Sequence, residues 1–462
     1  MLSPTAFRCF LQAIAIPYPT MRKILRRFSK KTFQVLGTDR GLLAAYLFAR
    51  IWLLADAFGQ ASGWDTGAHM EMLTAWPWSE RFWDIRSAFY AYHPPLAFLL
   101  PRILMTMGLP DVQSVQIIAA LATLASFFCI RSLLKHLDLL TKPIELAFLY
   151  ITFSLPFLIY LSHAVTMDVL ILLAACGALL HGWKFSDAKT ERQRLLHGLL
   201  SVFWLMFALY AKYNGVLLLP LPLLIAGCSG RGKRLRRLAE AACMVAAAIA
   251  LAFPWYYGRT YVQEGQFFVS NMDMEEYDKQ ALAGERAHRD QNPEAFWRAY
   301  FGSPPPEAQG VDRRDQGALR ILNTWKDFWA SSHVPHTPLS LLLSTAYMYL
   351  GGILIMIGCV HFACTVRWNT PWDRLGFVLG ILFLLHFIAL AAYSWQYPHA
   401  VGFVNKGVYI APVILALGYF SVRPLILIPL EHHKKSWRRL LDISCIPFLG
   451  LFVLINHLIP VH

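Results

Sequence analysis

Charge is scarce in this chain: only 15% of its 462 residues are Asp, Glu, Lys or Arg, against 56% hydrophobic. Too little polar surface is available to wrap so much apolar matter in water, which excludes an ordinary soluble domain and leaves a polytopic membrane protein. Acidic residues are scarcer still, 28 against 42 Lys and Arg, for a formal charge of +14. That excess would suit nucleic acid, but the basic residues fall in short clusters between apolar runs rather than among exposed aromatics, so no nucleic-acid surface is expected. Cysteine is sparse, 8 residues, and none falls in the long polar stretch 258–338, which excludes a disulfide framework there. No spacing suggests a zinc site, and no internal repeat or inverted half is evident. A cleavable leader is not expected either, because Arg22, Lys23, Arg26, Arg27, Lys30 and Lys31 follow the weakly apolar start instead of preceding it.

What is abundant is long apolar runs. A span needs about 20 such residues, fewer where helices break. The candidates are 41–59, 114–134, 144–162, 167–183, 198–211, 215–226, 239–257, 339–364, 375–393, 408–422 and 440–460. With the amino end inside, the inner segments are the amino-terminal arm, 131–142, 184–194, 231–237, 367–374 and 434–439, and all six are basic. The positive-inside rule supports that arrangement, with eleven spans and the carboxyl end outside. It requires the apolar segment 94–108, with its Pro-Pro start, Pro101 and Arg102, to lie at the outer interface without crossing. The divisions that follow are a basic arm 1–40, a transmembrane catalytic module 41–257 containing the outer loop 60–113, an outer region 258–338 with amphipathic helices lying on the membrane, and a helical region 339–462.

Ionisable residues inside the apolar regions mark the site. Lys212-Tyr213-Asn214 interrupts the run 198–226; a turn between two helices near the outer face would spare the ammonium the hydrocarbon, while one long helix with a snorkelling lysine is the alternative. Asp168 stands where one span ends and the next begins, in Ser162-His163-Ala164-Val165-Thr166-Met167-Asp168; a carboxylate there also complements a helix dipole. Asp65 lies in the first outer loop, and capping a helix that begins at Thr66 would explain it as well as chemistry would. His69 and Glu71 read as solvated helix residues. His93, ahead of Pro94-Pro95, is held at the membrane mouth, where it serves either a ligand or an interfacial turn.

As a set, these elements resemble the GT-C glycosyltransferases of the protein O-mannosyltransferase and lipid A aminoarabinose transferase type. The resemblance rests on Asp65, on Tyr92-His93-Pro94-Pro95-Leu96 and on the Ser162-to-Asp168 turn, with weaker support from Lys212-Tyr213-Asn214-Gly215 and Pro254-Trp255. It covers roughly residues 40–260; beyond them it continues only in hydropathy and in Asn405-Lys406-Gly407-Val408-Tyr409. Thr66 follows Asp65 where many relatives carry an acid, and Tyr92-His93 replaces the Glu-Lys of the aminoarabinose branch.

The resemblance implies an all-α polytopic membrane enzyme of GT-C type, with about eleven transmembrane helices and juxtamembrane helices on the outer face. It implies transfer of a sugar from a polyprenyl-phosphate donor to a protein, lipid or glycan acceptor on the periplasmic or lumenal side, in a bacterial inner membrane or, alternatively, the endoplasmic reticulum. Asp65 would be the general base and Asp168 would orient hydroxyls. His93, Lys212 and Lys406 would meet the phosphate with Arg259 and Arg320 behind them, and Tyr92, Tyr213 and His163 would complete the binding site. No cofactor is required, although a divalent cation is compatible with the chemistry. The rival reading is a transporter or lipid flippase using Asp168 and Lys212 along a substrate pathway.

Overall fold

The structure, a computed structural model, describes residues 39–61, 66–75, 93–140, 143–162, 164–166, 168–228, 234–269, 279–294, 296–297, 338–397 and 410–427. Five of the candidate site residues, Asp65, Tyr92, His163, Arg320 and Lys406, lie outside them, as do residues 1–38 of the basic arm and the expected span 440–460.

All regular elements among the described residues are helices: α1 (Asp39–Ala57), α2 (Thr66–Ala75), α3 (Leu96–Thr106), α4 (Asp111–His136), α5 (Pro143–Phe153), α6 (Pro156–Leu161), α7 (Val169–Ser186) and α8 (Glu191–Ala211). A 3-10 segment, Tyr213–Leu218, leads to α9 (Leu221–Gly227), α10 (Arg234–Ala252), a π turn at Phe253–Tyr257, α11 (Gly258–Glu264) and α12 (Lys279–Gln291). After these come α13 (Pro338–Thr365), α14 (Pro371–Gln396) and α15 (Val413–Val422). Among the described residues six helical stretches are long and apolar enough to cross a membrane: α4, α7, α8, the run from Arg234 to Glu264, the last 18 residues of α13, and α14. The chain is an integral membrane protein.

At the centre stands α7. Its sequence, VLILLAACGALLHGWKFS, is apolar around its whole circumference, so it satisfies itself only when walled in by other helices. It packs chiefly on α8 and α4. Close approach to α8 depends on Gly177, where a Cβ would fall 2.3 Å from the Trp204 ring.

Polar contacts fix which helix ends lie together. At one end His136 of α4 meets Asp187 after α7 at 3.2 Å, Arg194 of α8 meets Glu240 of α10 at 3.6 Å, and Arg374 of α14 donates to the Cys228 carbonyl at 3.5 Å. These are the ends that carry basic segments 131–142, 184–194, 231–237 and 367–374. At the other end Gly59 after α1 donates to Gln116 near the start of α4 at 2.8 Å, and Lys212 after α8 pairs with Asp168 before α7. The charge-based sorting of loops therefore corresponds to a real layering of the bundle.

Helix α3 keeps to the second of these ends. Eleven residues rise roughly 16 Å, about half a hydrocarbon core. Ala97 and Phe98 at its start share a cavity with Val115 of α4, and its last turn leads straight through Gly108 to the start of α4. Both ends therefore sit beside the same end of α4, as the non-crossing assignment of 94–108 requires.

Three spans differ from expectation. The run 144–162 is not one helix: it breaks after Phe153, because Pro156 has no N–H to offer the Thr152 carbonyl, and Leu155 takes that acceptor at 3.4 Å instead. The run 239–257 does not stop at Pro254-Trp255. A π turn absorbs the proline and the helix continues to Glu264, where Gly265 closes it in the left-handed conformation at φ +72°. The boundary drawn at 257 thus falls within a continuous helix, and Arg259 belongs to it. Finally, the return after Lys212 is built of a 3-10 segment and the seven-residue α9 rather than a regular span. At about 2.0 Å per residue, the 3-10 segment covers more membrane depth than an α-helix of equal length.

Candidate active site

Asp168 closes the turn that enters α7. Its backbone is already helical, φ −61° and ψ −24°, and its carboxylate caps no backbone N–H of that helix. Instead one oxygen pairs with the Lys212 ammonium, while the other accepts the Thr166 hydroxyl at 2.6 Å. No capping hydrogen bond holds this residue, although at the start of the helix its charge still complements the dipole. It is buried, 5% exposed, and a carboxylate kept so dry needs such partners.

Lys212 reaches Asp168 because α8 ends one residue earlier. Its own backbone is extended, φ −165° and ψ 156°, and its carbonyl accepts from Gly215 at 2.9 Å, closing a tight turn. Only glycine fits at 215, since a Cβ there would lie 2.2 Å from the Ala208 carbonyl oxygen. Lys212 thus ends the helix and joins an ion pair, and no snorkelling from a continuous helix is involved.

His93 comes from the opposite side, on the step before α3. Pro95 starts that helix, its carbonyl accepting from Phe98 and Leu99 at 3.0 and 2.9 Å. Desolvation, then the Lys212 ammonium, then His69 hold the His93 imidazole well below the ordinary histidine value of 6.5. The ring is neutral near pH 7, so any bond it offers an anion is that of a neutral N–H.

His69 is the residue sequence reasoning missed. It lies on α2 with Nδ1 3.3 Å from the Val165 carbonyl, a contact only a protonated Nδ1 can make, which leaves Nε2 as an acceptor. Its ring centre lies 6.5 Å from that of His93 and 6.0 Å from that of Phe98. One signal was available in the sequence: His69 follows Asp65 by four positions, the spacing of one helical turn.

These groups line one cavity, with Asp168, Lys212, Thr166, His93 and His69 as its polar wall and Leu73, Ala97, Phe98 and Val115 as its apolar one. Of the described candidates the structure brings together Asp168, Lys212 and His93. Tyr213 is next to the cavity but not in its lining: its hydroxyl lies 2.8 Å from that of Tyr256 and accepts from the Val269 amide at 3.4 Å. Arg259, one turn beyond Tyr256 on the same helix, is not a lining residue either. Among the described residues no group of three or more His, Cys, Asp or Glu could hold a metal ion.

Chemically, the wall offers an ammonium, a buried carboxylate and two imidazoles beside an apolar surface. A polar group with a greasy attachment suits it, and an anion would share the Lys212 ammonium with the Asp168 carboxylate.

No protein-family model matches the chain, and no curated protein does. Two solved structures are similar to it. The crystal structure of ArnT from Cupriavidus metallidurans bound to undecaprenyl phosphate shares 16% identity, covering 84% of this chain and 79% of that one with a TM-score of 0.40. The same protein in its apo state shares 15%, covering 83% and 78%, again with a TM-score of 0.40. At that degree of likeness neither carries an argument about this chain.

Proposed function

We propose that this protein is an integral membrane glycosyltransferase that moves a sugar from a polyprenyl-phosphate donor to an acceptor on the non-cytoplasmic face. One observation carries the reading. Asp168, Lys212, His93 and His69, from four separate stretches of chain, line one half-apolar cavity at the end of the bundle opposite the basic loops. The transporter reading gets no support from α7, which is wholly apolar or small between Val169 and Leu180, and rests on the buried Ser114, Gln116, Thr123 and Ser126 of α4.

In the proposed reaction the donor phosphate meets Lys212, with an imidazole N–H as a second contact and its isoprenoid tail in the bilayer. Lys406 is assigned to the same phosphate, with Arg259 and Arg320 behind it, and Tyr92, Tyr213 and His163 complete the binding site. Asp168, already holding Thr166 and Lys212, orients hydroxyls. Asp65, ahead of α2, takes the proton of the acceptor hydroxyl or amine as that atom attacks the anomeric carbon. The carbon–oxygen bond to the phosphate breaks, the electron pair leaves with the carrier phosphate, and the anomeric centre inverts. A phosphate is a good leaving group, so no metal step is needed, although a divalent cation is compatible with the site. The positive-inside rule applied to the basic end sets the cavity outside, in a bacterial inner membrane or, alternatively, the endoplasmic reticulum membrane.

The test is incubation of the purified protein with a panel of radiolabelled polyprenyl-phosphate sugars and candidate acceptors, following retained and transferred label. Retained label that Lys212→Met abolishes supports the reading. No binding across the panel overturns it and favours transport.

A further inference from the structure

An arginine inside an apolar helix is costly unless its donors find acceptors. Arg50 lies on α1 two turns before the helix ends at Ala57, roughly 10 Å below that end. Its guanidinium donates to the Phe153 carbonyl, to the Leu158 carbonyl at 3.4 Å and to the Ser162 hydroxyl at 2.9 Å, and it sits 5.1 Å from the centre of the Tyr46 ring.

Those three acceptors bracket α6. Phe153 is the last residue of α5, Leu158 lies within α6, and Ser162 opens the turn that ends at Asp168. The six-residue α6 is too short to hold its own direction, since Pro156 cuts it off from α5. A planar fork can serve several acceptors at once, which a lysine ammonium cannot match in geometry.

We infer that Arg50 is a positioning residue for the active site: it fastens α1 to both ends of α6 and thereby sets where the 162–168 turn holds Asp168 against Lys212. Its kinetic consequence rests on the transferase reading; its effect on the Asp168–Lys212 pair does not.

The experiment uses Arg50→Gln and Arg50→Lys in the full chain reconstituted in nanodiscs, with two readouts. First, acylation of Lys212 by a water-soluble amine-reactive ester is followed by peptide mass spectrometry. It is expected to rise several-fold in Arg50→Gln and less in Arg50→Lys, and unchanged labelling in monodisperse protein overturns the inference. Second, with a labelled donor, kcat is expected to fall about tenfold to a hundredfold with little change in KM, and to fall no further when Arg50→Gln is added to Asp168→Asn. Additive losses overturn it. Should neither arginine variant fold, Ser162→Ala removes a single acceptor and is expected to move both readouts the same way by less; no movement overturns the inference. A wild type silent with every donor, but with Lys212 exposed by Arg50→Gln, sinks the transferase reading and supports the positioning role.

Discussion

Replacing Asp168 by Asn and Lys212 by Met, singly and together, separates fastening from chemistry at the centre of the cavity. The two side chains are 6% and 17% exposed, so removing one leaves its partner's charge with little water. Breaking a buried pair from one side costs about 3–5 kcal/mol. Here asparagine can still accept from Thr166, and the lysine keeps some solvent, so each single loss is set at about 2–3 kcal/mol. The double variant leaves neither charge behind and is expected within about 1 kcal/mol of wild type. Thermal unfolding of detergent-purified protein, followed by size-exclusion chromatography, should show two lowered midpoints and one recovered midpoint. Transfer from a labelled polyprenyl-phosphate donor should fall at least about a hundredfold in every variant, the double included. Recovery of turnover together with stability would refute the reasoning, because the pair would then be only a fastener.

Asp65→Asn is expected to lower turnover by about 10²–10⁴-fold with an unfolding midpoint like that of wild type; near-normal activity would remove Asp65 from the general-base role. Gly215→Ala puts a methyl 2.2 Å from a backbone carbonyl that cannot yield, and should destabilise by about 3 kcal/mol or displace Lys212, seen as lost monodispersity or lost donor binding. For His93 the sign follows from its depressed value: the folded protein binds fewer protons than the unfolded one below the ordinary value of 6.5. Stability is therefore intact above that pH and declines as pH falls toward the folded value. His93→Gln should flatten this acid slope in unfolding midpoints measured from pH 7 downward, and an unchanged slope would count against the neutral imidazole.

Sequence made some of this legible because hydrocarbon makes charge conspicuous. Lys212 and Asp168, 44 positions apart, each interrupt an apolar run, and their pairing is the cheapest way to carry both. The shortness of the helix in segment 94–108 was readable for the same kind of reason, from its prolines and Arg102. His69 was not, because a histidine among Gly, Ala, Met and Glu has the local pattern of a solvated helix, and the Val165 carbonyl that places it lies 96 positions on. The break at Pro156 was visible as a proline, but apolar residues on both sides disguised two helices as one. Arg50 was passed over because its acceptors, Phe153, Leu158 and Ser162, are more than a hundred residues away. The role of Asp65 was inferred by resemblance and lies outside the described residues.

The irregular return after Lys212 bears on how the chain enters its membrane. Helix α8 is long and apolar enough to partition by itself, whereas Tyr213–Gly227, half 3-10 and twice interrupted by proline, is a poor substrate for the insertion machinery. Their lengths suit entry as a hairpin, with the first arm carrying the second across. Biogenesis of the whole downstream topology, from the basic residues ahead of α10 onward, then depends on a tip made of Lys212 and Gly215. A lesion there would scramble orientation before the bundle could close around its cavity.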